Sequence, residues 1–114
     1  MRSEYEQWQK DNPNGIVAYK IDTENYNTPA EIGQNHIGNP FSGYTKGFGP
    51  DTVQKFLDWI VTGNNFGDED ATEEYRQAII SKILNSPEGT PILYYKELNR
   101  PSHATVIGYL INNK

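Results

Sequence analysis

The stretch Thr90-Pro91-Ile92-Leu93-Tyr94-Tyr95-Lys96-Glu97-Leu98-Asn99-Arg100-Pro101-Ser102-His103-Ala104 decides how the rest of the chain is read. Its apolar opening, entered through a proline that a strand tolerates at its first position, predicts a short buried strand. A polar loop follows, and Ser102 then caps the start of a helix. Such a junction presents backbone N–H groups and the positive end of a helix dipole above the strand, which suits an anion. Counting from His103, the residues at i+3, i+4, i+7 and i+8 are Val106, Ile107, Leu110 and Ile111, so the helix runs toward Asn112. His103 lies on that apolar stripe, in the first turn.

Working back toward the N-terminus, Asn85-Ser86-Pro87-Glu88-Gly89 ends a second helix, predicted from about Thr72 to Leu84 with Tyr75, Ala78, Ile79 and Ile83 inward. Asp70 is read as its cap, with Glu73 three residues on, and acids suit that end of a helix. This is why the acidic loop Gly63-Asn64-Asn65-Phe66-Gly67-Asp68-Glu69-Asp70 is not read as a metal site; it also lacks the alternating ligand spacing of a calcium hand. Val53, Phe56, Leu57, Ile60 and Val61 make one stripe of an earlier helix, with Asp51 as its cap, Pro50 before it, Gly63 beyond its end and Asp51-Lys55 ordered for an i,i+4 pair.

Asp11-Asn12-Pro13-Asn14-Gly15 is a dense turn signal. The run Ile16-Val17-Ala18-Tyr19-Lys20-Ile21 after it predicts a strand buried on both faces. Residues 3–10 carry one or two helical turns that form only if Tyr5 and Trp8 pack on the body. Between Asp22 and Gly49, two prolines and five glycines leave room for a brief strand near Gln34–Ile37, the alternative being an irregular cover over one sheet edge. Strands and helices in alternation predict a single α/β domain, with residues 1–14 as an N-terminal extension and 15–112 as the core. Its short, mostly parallel sheet is joined by right-handed helical crossovers. The carboxyl ends of the strands are then the edge where ligands gather.

Composition narrows the function. A 114-residue chain, 35% hydrophobic with eight Tyr, four Phe and two Trp, builds a small, partly aromatic core. A net charge of -5 with scattered Lys and Arg argues against a nucleic-acid backbone as partner. No Cys and only two His leave no thiol chemistry and no zinc set, and no metal or cofactor is expected. No apolar run reaches the roughly 18 residues of a membrane span. Met1-Arg2-Ser3-Glu4-Tyr5-Glu6 lacks an apolar secretion segment, so a cytoplasmic location is expected.

Three features are predicted to converge at the strand-end edge. Ser102 and Arg100 would hold a phosphate or carboxylate at the helix mouth. His103 there would favour the neutral imidazole, a donor or base. In Gly38-Asn39-Pro40-Phe41-Ser42-Gly43, Pro40 fixes the direction of the Asn39 amide, Gly38 and Gly43 permit close backbone approach, and Phe41 anchors the loop or underlies a planar ligand. Each has a plain structural alternative: a cap, a buried hydrogen-bonded histidine, a rigid proline turn. The Gly43–Gly49 run is not a phosphate cradle, because the Lys-Ser/Thr pair is missing and Asp51 would repel an anion. Lys96 and Glu97 on the His103 loop add a weak acid/base signal.

Ile37-Gly38-Asn39-Pro40-Phe41 followed by a strand and Pro101-Ser102-His103-Ala104 resembles a functionally uncharacterised domain family of bacteria and tailed phages. Its marks are a Gly-Asn-Pro-Phe motif and a C-terminal Cys-His-Gly-like motif opening the last helix. The resemblance spans roughly Ile16 to Ile111. Ser102 stands where the family has Cys and Ala104 where it has Gly, so a thiol or metal role does not carry over, while His103 does. The Tyr94–His103 wording is similar to versions inside large gut-phage and mobile-element proteins, which implies such an origin and a domain cut from a longer chain. The resemblance also implies a small Rossmann-like, nucleotide-associated fold.

The resulting expectation is a domain that binds a nucleotide or nucleotide-derived metabolite, with hydrolysis left open. Gly38, Asn39, Phe41, Ser42, Arg100 and Ser102 are its ligand-binding residues and His103 its catalytic candidate. The alternative is a non-enzymatic interaction module of a phage assembly, docking through Trp59 and Phe66, which lie off the predicted core stripes.

Overall fold

The computed structural model describes residues 7, 8, 10–19, 36–43, 46, 47, 49–94 and 101–114. Among the described residues three strands form: β1 (Ile16–Tyr19), β2 (His36–Gly38) and β3 (Ile92–Tyr94). They make one sheet in the order β2-β1-β3, and both pairings are parallel. In register, Ala18 sits between Ile37 and Tyr94, and Val17 between His36 and Leu93. Side chains alternate along a strand, so Ile16 and Ala18 face one way and Val17 the other. All three are buried, which makes the central strand apolar on both faces. Predicted strand residues Lys20, Ile21 and Tyr95 lie outside the described residues, as does most of the 3–10 turn.

Among the described residues from 50 onward three helices follow: α1 (Pro50–Thr62), α2 (Glu73–Asn85) and α3 (His103–Asn112). They share one buried cluster with Ile16, Ala18 and Ile37, so they gather on that face of the sheet. α1 and α2 both pack on α3, and α3 packs on β3. Ile107, with no exposed surface, is α3's most deeply buried member of the cluster. None of the described helices is long and apolar enough to cross a membrane.

The helix ends differ from the sequence reading in two places. Asp51 does not cap α1. Proline suits the first helical position because its φ is already set, so Pro50 takes it and Gly49 becomes the cap at φ 128°. Asp51 falls one residue further in, still near the positive dipole end. Asp70 does not cap α2 either; the Thr72 hydroxyl does, accepting from Tyr75 N–H at 3.1 Å. Asp70 instead pairs with Lys46. Gly63 ends α1 as expected, at φ 84°, donating to Trp59 O.

The buried face of α1 is also turned from the predicted one. Val61 is 61% exposed, while Trp59, predicted outward, has no exposed surface. The core face is Thr52, Phe56, Trp59 and Ile60, with Val53 and Leu57 at its border. The indole decides the rotation, since it buries far more apolar area than a valine. It lies edge-on to Phe41 and Phe56 and tilted against Tyr75, with centroids 5.6, 5.9 and 5.8 Å away. Asp51 and Lys55 form no ion pair; Lys55 Nζ stands 5.7 Å from the centre of the Phe66 ring.

Candidate functional site

The Gly-Asn-Pro-Phe segment begins as the last residue of β2 and turns back at once. Ser42 N–H donates to Asn39 O at 3.2 Å, closing a turn with Pro40 in its second position, where a fixed φ is favourable. The Asn39 side chain is 2% exposed and holds the turn from within. Its Oδ1 accepts from Phe41 N–H at 2.9 Å and its Nδ2 donates to Thr52 O at 3.1 Å, tying the turn to the start of α1. These bonds orient the amide without ambiguity. The Phe41 ring lies edge-on between Trp59 and Phe66. The Ser42 hydroxyl makes only a long 3.5 Å contact to Asn39 O.

Gly38 is held by a residue from α2. Its N–H donates to the Tyr75 hydroxyl at 2.8 Å, and that hydroxyl donates to Gly38 O at 2.7 Å. One phenol thus satisfies both backbone groups at the end of β2. Tyr75 was legible in the sequence only as a core residue; the periodicity of α2 shows that it points inward but not what its hydroxyl meets. Thr52 and Lys46 were missed for the same reason.

The last helix meets this turn. His103 Nε2 lies 2.9 Å from Ile37 O; a carbonyl only accepts, so Nε2 carries the proton and donates. The imidazole is 6% exposed and lies edge-on to Phe56, centroids 5.5 Å apart. Ser102 caps α3 as predicted. Its hydroxyl accepts from Ala104 N–H at 3.1 Å, and Thr105 Oγ1 accepts from Ser102 N–H, also at 3.1 Å, completing a capping box. A hydroxyl that accepts still has its own proton to donate.

The structure therefore brings Gly38, Asn39, Phe41, Ser42, Ser102 and His103 into one buried region at the carboxyl end of the sheet. Arg100, Lys96 and Glu97 lie outside the described residues. The polar groups brought together bond chiefly to one another and to backbone, an arrangement that fixes shape. Among the described residues no cluster of three or more His, Asp or Glu side chains is placed to hold a metal.

Beside the turn, the Lys46 ammonium donates to Pro40 O at 2.7 Å and pairs with Asp68 at 2.9 Å and Asp70 at 2.5 Å. Partial burial alone would lower its pKa, but hydrogen bonds and charge from Asp70 and Asp68 outweigh that and hold it above the ordinary lysine value. Comparison of the chain with protein-family models, curated proteins and solved structures matched none of them.

Proposed function

We propose that this is a small-ligand binding domain of Rossmann-like type, from a phage or mobile-element protein, that takes a nucleotide or nucleotide-derived metabolite at the carboxyl edge of its sheet. The observation that carries the reading is the joining of two distant segments at that edge, through the 2.9 Å contact of His103 Nε2 with Ile37 O. Strand order adds to it. β2 and β3 flank β1 on opposite sides, so the winding reverses across the first strand. In open parallel sheets, ligands bind beyond the carboxyl ends at such a reversal.

Binding fits better than catalysis. A general base must reach its substrate, and the His103 residue is only 6% exposed, with its ring packed edge-on against Phe56. In this reading Asn39 and His103 set the shape of the rim. The Ser102 hydroxyl and the Arg100 guanidinium receive the anionic end of the ligand, and Ser42 its polar edge. The interaction-module alternative loses one of its two docking aromatics, because Trp59 is buried.

The test is a thermal-shift panel of nucleotides and phosphosugars. A ligand at 100 times its dissociation constant stabilises by about 2.7 kcal/mol. Arg100→Ala should reduce the shift without lowering the melting temperature of the free protein. No shift with any member of the panel counts against the proposal.

A further inference from the structure

We propose that residues 64–70, within the connection between α1 and α2, form a lid over the Pro40–Phe41 turn that is latched by Lys46 and opens while the helices stay folded.

The segment is hydrogen-bonded largely to itself. Phe66 N–H donates to Asn64 Oδ1, Gly67 N–H to Asn65 Oδ1, Asp68 N–H to Asn65 O, Asp70 N–H to Asp68 Oδ1 and Ala71 N–H to Asp68 O. A unit knit in this way keeps its own bonds when it lifts. Among the described residues, two ties lead from it to the turn below. One is the Phe66 ring, 43% exposed, edge-on to Phe41 at 5.8 Å. The other is the pair of carboxylates of Asp68 and Asp70 on the Lys46 ammonium, which also holds Pro40 O. Partly exposed ion pairs are individually weak and screened by salt.

The segment is strained at one point. Phe66 is the one non-glycine residue with positive φ among those described, at 54°, a conformation uncommon for a bulky side chain. The two ends, by contrast, are fixed. Gly63 supplies a left-handed hinge at φ 84°. Arg76 of α2 donates from Nε to Trp59 O at 2.8 Å and from Nη2 to Ile60 O at 3.0 Å, binding the helix on one side of the lid to the helix on the other. Opening therefore requires no movement of α1 against α2.

Incorporation of 4-fluorophenylalanine gives one 19F resonance for each of the four phenylalanines. Relaxation dispersion is expected at Phe66 and Phe41 under native conditions, with Phe56, in the α1 core, showing none. In 1 M sodium chloride and in Lys46→Met the open population should rise about three- to tenfold, the equivalent of one or two such pairs lost. The paired substitution Asp68→Asn/Asp70→Asn should do the same from the lid side. Phe66 exchanging only together with Phe56 would overturn the proposal, since the lid would then open only by global unfolding. Exchange at Phe66 that responds to neither salt nor the substitutions would overturn the latch. The salt arm needs no variant, so a misfolded mutant leaves the test intact.

Discussion

Tyr75→Phe removes a single oxygen and tests whether the end of β2 is held from α2. The ring stays, so its buried area and its tilted contact with Trp59 are retained and little cavity forms. What is lost is the acceptor for Gly38 N–H at 2.8 Å and the donor to Gly38 O at 2.7 Å, in a buried setting. A buried donor or acceptor left unmatched costs about 1–3 kcal/mol, with a carbonyl tolerating the loss better than an N–H. The expected destabilisation is about 2–4 kcal/mol, a large share of the roughly 5–15 kcal/mol of an ordinary domain. Urea unfolding followed by far-ultraviolet circular dichroism should show the midpoint falling by about 1–2 M with an unchanged slope. Tyr109→Phe, at an exposed position of α3, is the control and should stay within about 0.5 kcal/mol. If Tyr75→Phe behaves like that control, the phenol does not anchor Gly38 and the reasoning about the turn is wrong.

Other expected outcomes follow from the same structure. Trp59→Ala should cost about 3–5 kcal/mol by chemical denaturation and Val61→Lys less than about 0.5 kcal/mol, the reverse of what the predicted stripe implies. A Cβ at Gly15 would stand 2.4 Å from the Trp8 indole, so Gly15→Ala should cost about 1–3 kcal/mol in the same assay, and native-like stability would show that the indole moves freely. The Gln77 amide, aided by the Arg76 guanidinium and opposed by desolvation, holds the Glu73 carboxyl below its ordinary 4.5. A carboxyl lowered on folding adds stability above its unfolded pKa and loses it as pH falls through the folded one. The melting-temperature gap between the native protein and Glu73→Gln should therefore be full at pH 7 and close below about pH 4.5; a gap that persists in acid contradicts the assignment.

The parts of the fold that were legible rest on local rules. α3 was readable because its cap and its stripe agree: Ser102 offers a hydroxyl, and His103, Val106, Ile107 and Ile111 recur at helical spacing and are buried. β1 was readable because β-branched and apolar residues in a short run suit a covered strand, and the described part of the strand expected near Gln34–Ile37 lies in β2. α1 was readable as a helix but not in its rotation, since Val53 and Val61 complete a stripe about as well as Thr52 and Trp59. Only packing against Phe41 and Tyr75 breaks that tie. Asp70 looked like a cap because local sequence cannot show that Lys46, 24 residues away, draws its carboxylate elsewhere. For the site, sequence suggested that the Gly38–Ser42 turn meets the mouth of the last helix. It could not show how the polar groups there would be engaged, because the bonds from Tyr75 to Gly38 and from His103 to Ile37 span 37 and 66 residues.

A titration of 15N-labelled protein with the best nucleotide of the panel, followed by amide chemical shifts, tests most directly whether the carboxyl edge of the sheet is the ligand site. The account predicts perturbations concentrated at Ser102, His103 and the Gly38–Ser42 turn, with Gly15, Gly89 and Thr90, at the amino ends of β1 and β3, unmoved. Perturbations centred on that opposite edge would contradict it.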